Sequence, residues 1–414
     1  MSLAKTLCRK GTNALTRPAV RRRYLAGVEG LEHVPEHGPF VLISNHVSFA
    51  EHFVYEAILH ARRGRRGVFL TKAESFRGIR TVWYEAMGAV AVDRDQPARA
   101  LLELADTVLA DGDALVVYPE GTRNRGSGLQ PFKDGGFRFA ARADVPVIPA
   151  AVWGTQDILP IGATMPRNGR ARVAFGPALR PDPDLRHAAR LRDLVDRGRS
   201  AVADLIDLAR HPATGRSREA ARRTAAVAGA LVERALDGPE PDRDRLKRAA
   251  ALLEVADSTD PDNPHVRLVR NRLAGLRLLG GPAPLRPLRA LALRGRLERA
   301  ATELPTEPMA HYLLGRWHLT APGLLGGSPD RAARHLAEAV HLDGGDTRYT
   351  MARAEALRRV GREREALDDV ESVLDAPAAD ERGERRRRRA AELRAALTAA
   401  AATPTAEVMQ RRTT

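Results

Sequence analysis

Apolar residues gather in six short runs in the first half of the chain: 40–43, 67–70, 89–92, 114–117, 145–152 and 171–175. Each is bounded by Gly, Pro or charged residues and reads as a buried strand. Between them, 51–62, 75–86, 97–110 and 134–143 read as helices. This alternation predicts an α/β domain over 25–210, a mixed or parallel sheet flanked by helices. An amphipathic helix follows over 183–210. The stretch 211–219, HPATGRSRE, has Pro, Gly and Ser without apolar periodicity and is expected to be a linker.

Residues 220–400 carry Ala, Leu and Arg at helical spacing and predict an all-α domain. Gly327, Ala332, Leu336 and Ala339 recur 34 residues later as Gly361, Ala366, Val370 and Val373. A 34-residue period with small and large residues so placed resembles tetratricopeptide repeats. An unrelated helical bundle is the alternative. ERGERRRRR (381–389) reads as a solvated helix face, and 401–414 as a disordered tail.

Length and charge sharpen this picture. A chain of 414 residues exceeds one ordinary domain. Of its 67 Lys and Arg, five are Lys (Lys5, Lys10, Lys72, Lys133 and Lys247), and the net charge is +15. Residues 1–28 hold seven basic residues and no acid. With Leu3 and Leu7 spaced i, i+4, the segment 1–24 is expected to associate with an anionic membrane surface. The charge alone would also suit nucleic acid, but no aromatic-interleaved basic sheet or recognition motif accompanies it. Cys8 is the one cysteine, so no intramolecular disulfide or multi-cysteine metal site forms, as in a reducing compartment. No apolar run reaches about 18 residues, and the N-terminus lacks a secretory signal's apolar stretch.

Four features carry candidate chemistry. SNHVSFAEH (44–52) follows the run 40–43. A neutral imidazole at a strand end, oriented by a carboxylate, suits general-base work. On one continuous helix His46 and Glu51 would lie roughly 140° apart, so His46 must precede the helix and Glu51 sit in its first turn. Ser48 to Glu51 is equally a capping-box pattern. Val116 to Arg123 ends a strand in Tyr-Pro-Glu-Gly-Thr-Arg. There Gly allows close backbone approach, and Arg suits a phosphate. Gly88 to Arg94 is a strand ending in Asp93-Arg94, where Arg94 reaches a phosphate or pairs with Asp93. Val145 to Gly154 is a Pro-punctuated apolar strand that lines a pocket.

Together, in this order and at these separations, the four features resemble the blocks of the glycerolipid acyltransferase family typified by 1-acylglycerol-3-phosphate acyltransferase. The likeness covers about 20–210. Two positions depart from the family pattern: Glu51 stands where Asp is usual, and Tyr118 where Phe is common. The resemblance implies that His46 is the general base and that Glu51 orients it. It implies that Arg94 and Arg123 hold the acceptor phosphate and that Lys72 supplies a further basic group. Glu120, Gly121 and Thr122 belong to the acceptor site, and Asn45 buttresses the loop. An acyl-CoA or acyl carrier protein thioester would acylate a lysophospholipid, 1-acylglycerol-3-phosphate foremost, without cofactor or metal. Other acceptors (glycerol-3-phosphate, a lyso-aminolipid) and a scaffold with a weak acyltransferase domain are the alternatives. The expected location is cytoplasmic, peripheral on the inner face of the cell membrane, with the helical domain free for a protein partner.

Overall fold

A computed structural model gives the fold. It describes the chain except residues 1–2, 65–66, 74–75, 77–80, 82–83, 86–87, 93–97, 126–127, 239, 280–285, 379 and 411–414. The chain divides into two compact units, Met1–Leu231 with Lys247–Val266, and Val232–Leu246 with Arg267–Thr414.

The first unit opens with helix α1, Leu3–Arg23. Its sheet comprises β1 Leu25–Glu29, β2 Phe40–Ser44, β3 Gly67–Lys72, β4 Ala89–Val92, β5 Ala114–Val117, β6 Val147–Trp153 and β7 Ala171–Phe175, in the order β1-β7-β6-β2-β5-β3-β4. Among these described strands β7 pairs antiparallel with β6, and the other five strand pairings are parallel. The sheet is therefore mixed. β2 is buried along its whole length, as parallel strands covered on both faces must be. Helices Gly135–Ala143 and His187–Arg210 cover one face through Phe137, Ala140, Leu194 and Val202. Helix α2, Ala50–Arg63, covers the other through Tyr55, Ile58 and Leu59.

β1 was not among the expected strands. Five residues with Gly at the centre give no usable periodicity, and the strand exists because β7 offers it a parallel edge. The basic N-terminal segment is the helix α1, and several of its charges are engaged. Arg17 pairs with the buried Glu56, and Arg21 and Arg22 share Glu254. The helix expected over 75–86 falls largely outside the described residues. Helix Thr214–Ala235 begins inside 211–219.

The second unit is all helical. Helices Pro308–Thr320, Pro329–Leu342, Thr347–Arg359 and Glu363–Asp375 pack in succession. Ser328 and Asp346 cap two of them by accepting from the backbone N–H of Arg331 and Arg348. Ala332, Leu336, Ala366, Val370 and Val373 share one core. The glycines of the repeat serve different ends. Gly327 leaves no room for a side chain against the Ala321 carbonyl, whereas Gly361 takes a φ of 77° at a turn. The arginines of 381–389 are not merely solvated. Arg382 pairs with Glu233, Arg385 binds the carbonyls of Leu236 and Asp237, and Arg389 pairs with Glu355. The terminal helix runs on to Gln410, through most of the segment expected as a tail.

Candidate active site

Parallel strands end together, so β2, β3, β4, β5 and β6 deliver their C-terminal loops to one edge of the sheet. That edge is where an open α/β sheet presents a site. The polypeptide leaves β2 at Ser44, turns through 45–48 and enters α2 at Ala50. His46 thus precedes the helix and Glu51 lies in its first turn.

Glu51 is fully buried and serves both roles that its spacing left open. Its Oε2 lies 2.6 Å from His46 Nδ1. Its Oε1 accepts from the backbone N–H of Val47 at 2.7 Å and Ser48 at 2.6 Å, with Thr155 Oγ1 at 3.4 Å. One carboxylate therefore caps the helix and holds the imidazole. The extra methylene of Glu relative to Asp lets a single group reach both partners. His46 Nε2 makes no hydrogen bond among the described residues, and the side chain keeps 12% exposure. The imidazole stacks on Tyr118, with ring centroids 4.1 Å apart.

Asn45 and Glu120 brace this turn from below. Asn45 Nδ2 donates to the Val152 carbonyl at 3.0 Å and its Oδ1 accepts from the Val152 N–H at 2.9 Å, pinning the turn to β6. Glu120, also buried, accepts from the His46 N–H at 2.9 Å, from Asn124 Nδ2 at 2.9 Å and from the Gln130 N–H at 3.1 Å. The Asn124 N–H returns a bond of 2.6 Å to the His46 carbonyl. The β2 and β5 loops are thus laced together through backbone. Both oxygens of Glu120 are engaged in this lacing.

Arg123 packs over Phe49, 4.0 Å from the ring centroid, and Phe49 in turn meets the His46 ring edge-on. Burial lowers the guanidinium's pKa from its usual value, but an arginine stays charged regardless. Thr122, Arg123, Asn124, Arg125, Gly128, Leu129 and Gln130 line a cavity of about 650 Å³. Gly121 turns the loop at a φ of 72°, and a side chain there would meet Lys133 Nζ at 2.8 Å. Lys72 ends β3. Arg94 lies outside the described residues.

The sequence reading passed over two residues. Lys133 overlies Gly121 and forms no ion pair among the described residues; a single Lys in a polar loop carries no periodic signal. Tyr118 was noted only as a departure, and its ring contact is visible only in three dimensions. His52, the residue after Glu51, is buried against Phe69. Burial first, then the neighbouring His46, pushes its pKa down to about 3 and keeps it neutral.

Residues 26–153 match the Acyltransferase family. The matched stretch lies wholly within the first unit. The chain is 30% identical over 190 residues to the chloroplastic 1-acyl-sn-glycerol-3-phosphate acyltransferase of Arabidopsis thaliana, a match covering 45% of this chain and 50% of that protein. It is 31% identical over 173 residues to 1-acyl-sn-glycerol-3-phosphate acyltransferase alpha of Bos taurus, covering 39% of this chain and 59% of that one. The chain thus spans about half the length of the curated relatives it matches. The crystal structure of the 1-acyl-sn-glycerophosphate acyltransferase of Thermotoga maritima aligns at 22% identity and a TM-score of 0.38, covering 49% of this chain and 81% of that one. The family match ends before the second unit begins. No helix among the described residues is long and apolar enough to cross a membrane.

Proposed function

We propose that the chain is an O-acyltransferase that moves a fatty acyl group from an acyl-CoA or acyl carrier protein thioester to the free hydroxyl of a lysophospholipid. The foremost acceptor is 1-acylglycerol-3-phosphate, and the product is then phosphatidate. The observation that supports this reading is the His46–Glu51 pair, with Nε2 open and Arg123 without an ion pair among the described residues.

Nε2 removes the acceptor's hydroxyl proton as the oxygen attacks the thioester carbonyl. The oxygen–carbon bond forms, the tetrahedral intermediate collapses, and the carbon–sulfur bond breaks. The imidazolium returns the proton to the departing thiolate. Glu51 holds the ring in the tautomer that carries hydrogen on Nδ1 and stabilises the cation that forms. Arg123, with Lys72 and Arg94, grips the acceptor phosphate through charge-assisted hydrogen bonds. The protein works peripherally at the inner face of the cell membrane, and the helical unit, tetratricopeptide-like in pattern, docks a protein partner.

The test is thiol release from acyl-CoA in the presence of a panel of lyso-acceptors, with products read by mass spectrometry. Release that requires lysophosphatidate and falls by at least about 10²-fold in His46→Ala supports the reading. Release that ignores the acceptor makes the chain a thioesterase and overturns it.

A further inference from the structure

We propose that the loop 159–170 is a lipid-docking element, seating the catalytic edge of the sheet on an anionic bilayer with Met165 entering the interface. The proposal rests on the reading of the acceptor as a lipid, and it names a surface that takes only Arg23, at its end, from the basic N-terminal segment.

The topology places this loop beside the dyad. β6 runs parallel to β2, so its C-terminal end lies at the edge that carries His46. β7 returns antiparallel, starting from that same edge, with Trp153 opposite Arg172. The loop between them therefore rises from the catalytic edge. β1 runs parallel to β7, with Leu25 opposite Ala171, so the C-terminal end of α1 arrives there too. Contacts tie these parts together. Ser48 Oγ donates to the Leu159 carbonyl at 2.7 Å, and Arg23 donates to Asn168 Oδ1 at 2.7 Å.

The loop is held at its neck. The Arg167 N–H donates to the Ile158 carbonyl at 2.7 Å, and Gly154 at a φ of 94° leaves no room for a side chain against the Arg170 carbonyl. Above this neck the exposed chemistry suits a membrane interface. Met165 is 74% exposed and Trp153, at the end of β6, 37%. Among the described residues of the first unit, only Leu15 joins them as an exposed large apolar side chain. Arg23, Arg167 and Arg170 are exposed and have no carboxylate partner among the described residues. Arg170 donates instead to the Leu25 carbonyl. Asp157 is the one acid between Trp153 and Arg172. Apolar side chains flanked by cations with no carboxylate partner among the described residues match the apolar interior and anionic headgroups of a bilayer. Docking this way would bring the lipid to His46 rather than requiring it to cross water.

The experiment is co-sedimentation of the full chain with phosphatidylglycerol–phosphatidylcholine vesicles and with phosphatidylcholine vesicles alone. The variants are Met165→Asp and Arg167→Gln, both at exposed positions outside the catalytic machinery. The expected results are preference for the anionic vesicles, a loss of about fivefold in partitioning for Arg167→Gln and about tenfold for Met165→Asp. Thiol release with a short-chain, monomeric lysophosphatidate stays at the parental rate in both. Equal binding to both vesicle types, or variants that partition like the parent, overturns the docking surface. If the parent binds and the variants do not, yet no lyso-acceptor is acylated, docking stands and the acyl-transfer reading falls.

Discussion

The phenol ring of Tyr118 lies nearly flat against the imidazole of His46, with centroids 4.1 Å apart and planes 15° apart. Stacking of this kind contributes about 0.5–1.5 kcal/mol beyond area burial. It stops the imidazole from turning its Nδ1 away from Glu51, and in the proposed reaction it offers a π-face to the imidazolium. The Tyr118 hydroxyl is buried without a partner among the described residues. Tyr118→Phe keeps the ring and deletes an unpaired polar atom, so activity should stay within about threefold and stability rise by about 1 kcal/mol. Tyr118→Ala should lower kcat by about 10–100-fold. Steady-state rates and thermal unfolding check both, and equal activity of the two variants would show the stacking to be incidental.

In the proposed mechanism Glu51 joins stability to chemistry in one side chain, and substitution separates the two. Glu51→Gln can still accept from the Val47 and Ser48 amides through its carbonyl oxygen, but it loses the charge facing His46. Its turnover should fall about 10²-fold or more, with a loss in unfolding free energy near 1 kcal/mol. Glu51→Ala should lose both. A Glu51→Gln protein that unfolds early yet turns over at the parental rate would leave Glu51 a helix cap alone.

The strands of the sheet were legible because β2, β5 and β6 are covered on both faces and must be apolar throughout. The dyad was legible because the turn demanded by a five-residue spacing has few solutions. The edge strand β1 was not, since its neighbours make it a strand rather than its own residues. Nor were the partners of the arginines. A run such as 385–389 looks like solvated charge in one dimension, and only the fold shows Arg385 bound to the Leu236 and Asp237 carbonyls. Lys133 escaped for the same reason, because its importance lies in overlying Gly121, twelve positions away in sequence.

That placement makes Lys133 a test of the acceptor site. An ammonium with no ion pair among the described residues, above the turn that leads to Arg123, suits a second contact to the proposed acceptor's phosphate. Lys133→Ala should raise KM for the lyso-acceptor about tenfold, with kcat within about threefold. Lys133→Arg should restore part of the affinity. Initial rates at varied acceptor and fixed acyl-CoA check it, and an unchanged KM would remove Lys133 from the site.

Acid should loosen the first unit through its neutral histidines. Burial first, then neighbouring charge, lowers His52 and His60 to about 3. Both folded-state values lie below the unfolded value of 6.5, so the unfolded chain binds protons that the fold refuses. Stability is then fully present above pH 6.5 and declines as pH falls toward about 3. For His52 the loss is about 2 kcal/mol by about pH 5. Chemical denaturation at stepped pH should show this slope, and His52→Leu should flatten it; a His52→Leu slope equal to the parent's would refute the assignment.

In the second unit the acid-sensitive group is Glu233. Burial acts to raise its pKa, but hydrogen bonds and charge from Arg272, with Arg348 and Arg382, outweigh burial and hold it at about 2. The folded value lies below the ordinary 4.5, so this contribution is fully present above pH 4.5 and disappears as pH falls through about 2. Its full size is about 3 kcal/mol. Glu233→Gln leaves three arginines facing one another around a neutral amide, which is worse than losing a single pair. The helical unit of that variant should therefore be destabilised by about 3 kcal/mol or more at pH 7, and its unfolding should no longer steepen between pH 4.5 and 2. Circular dichroism at 222 nm during acid titration reads this directly. A variant whose acid midpoint matches the parent's would mean that the arginines find other partners when Glu233 is protonated.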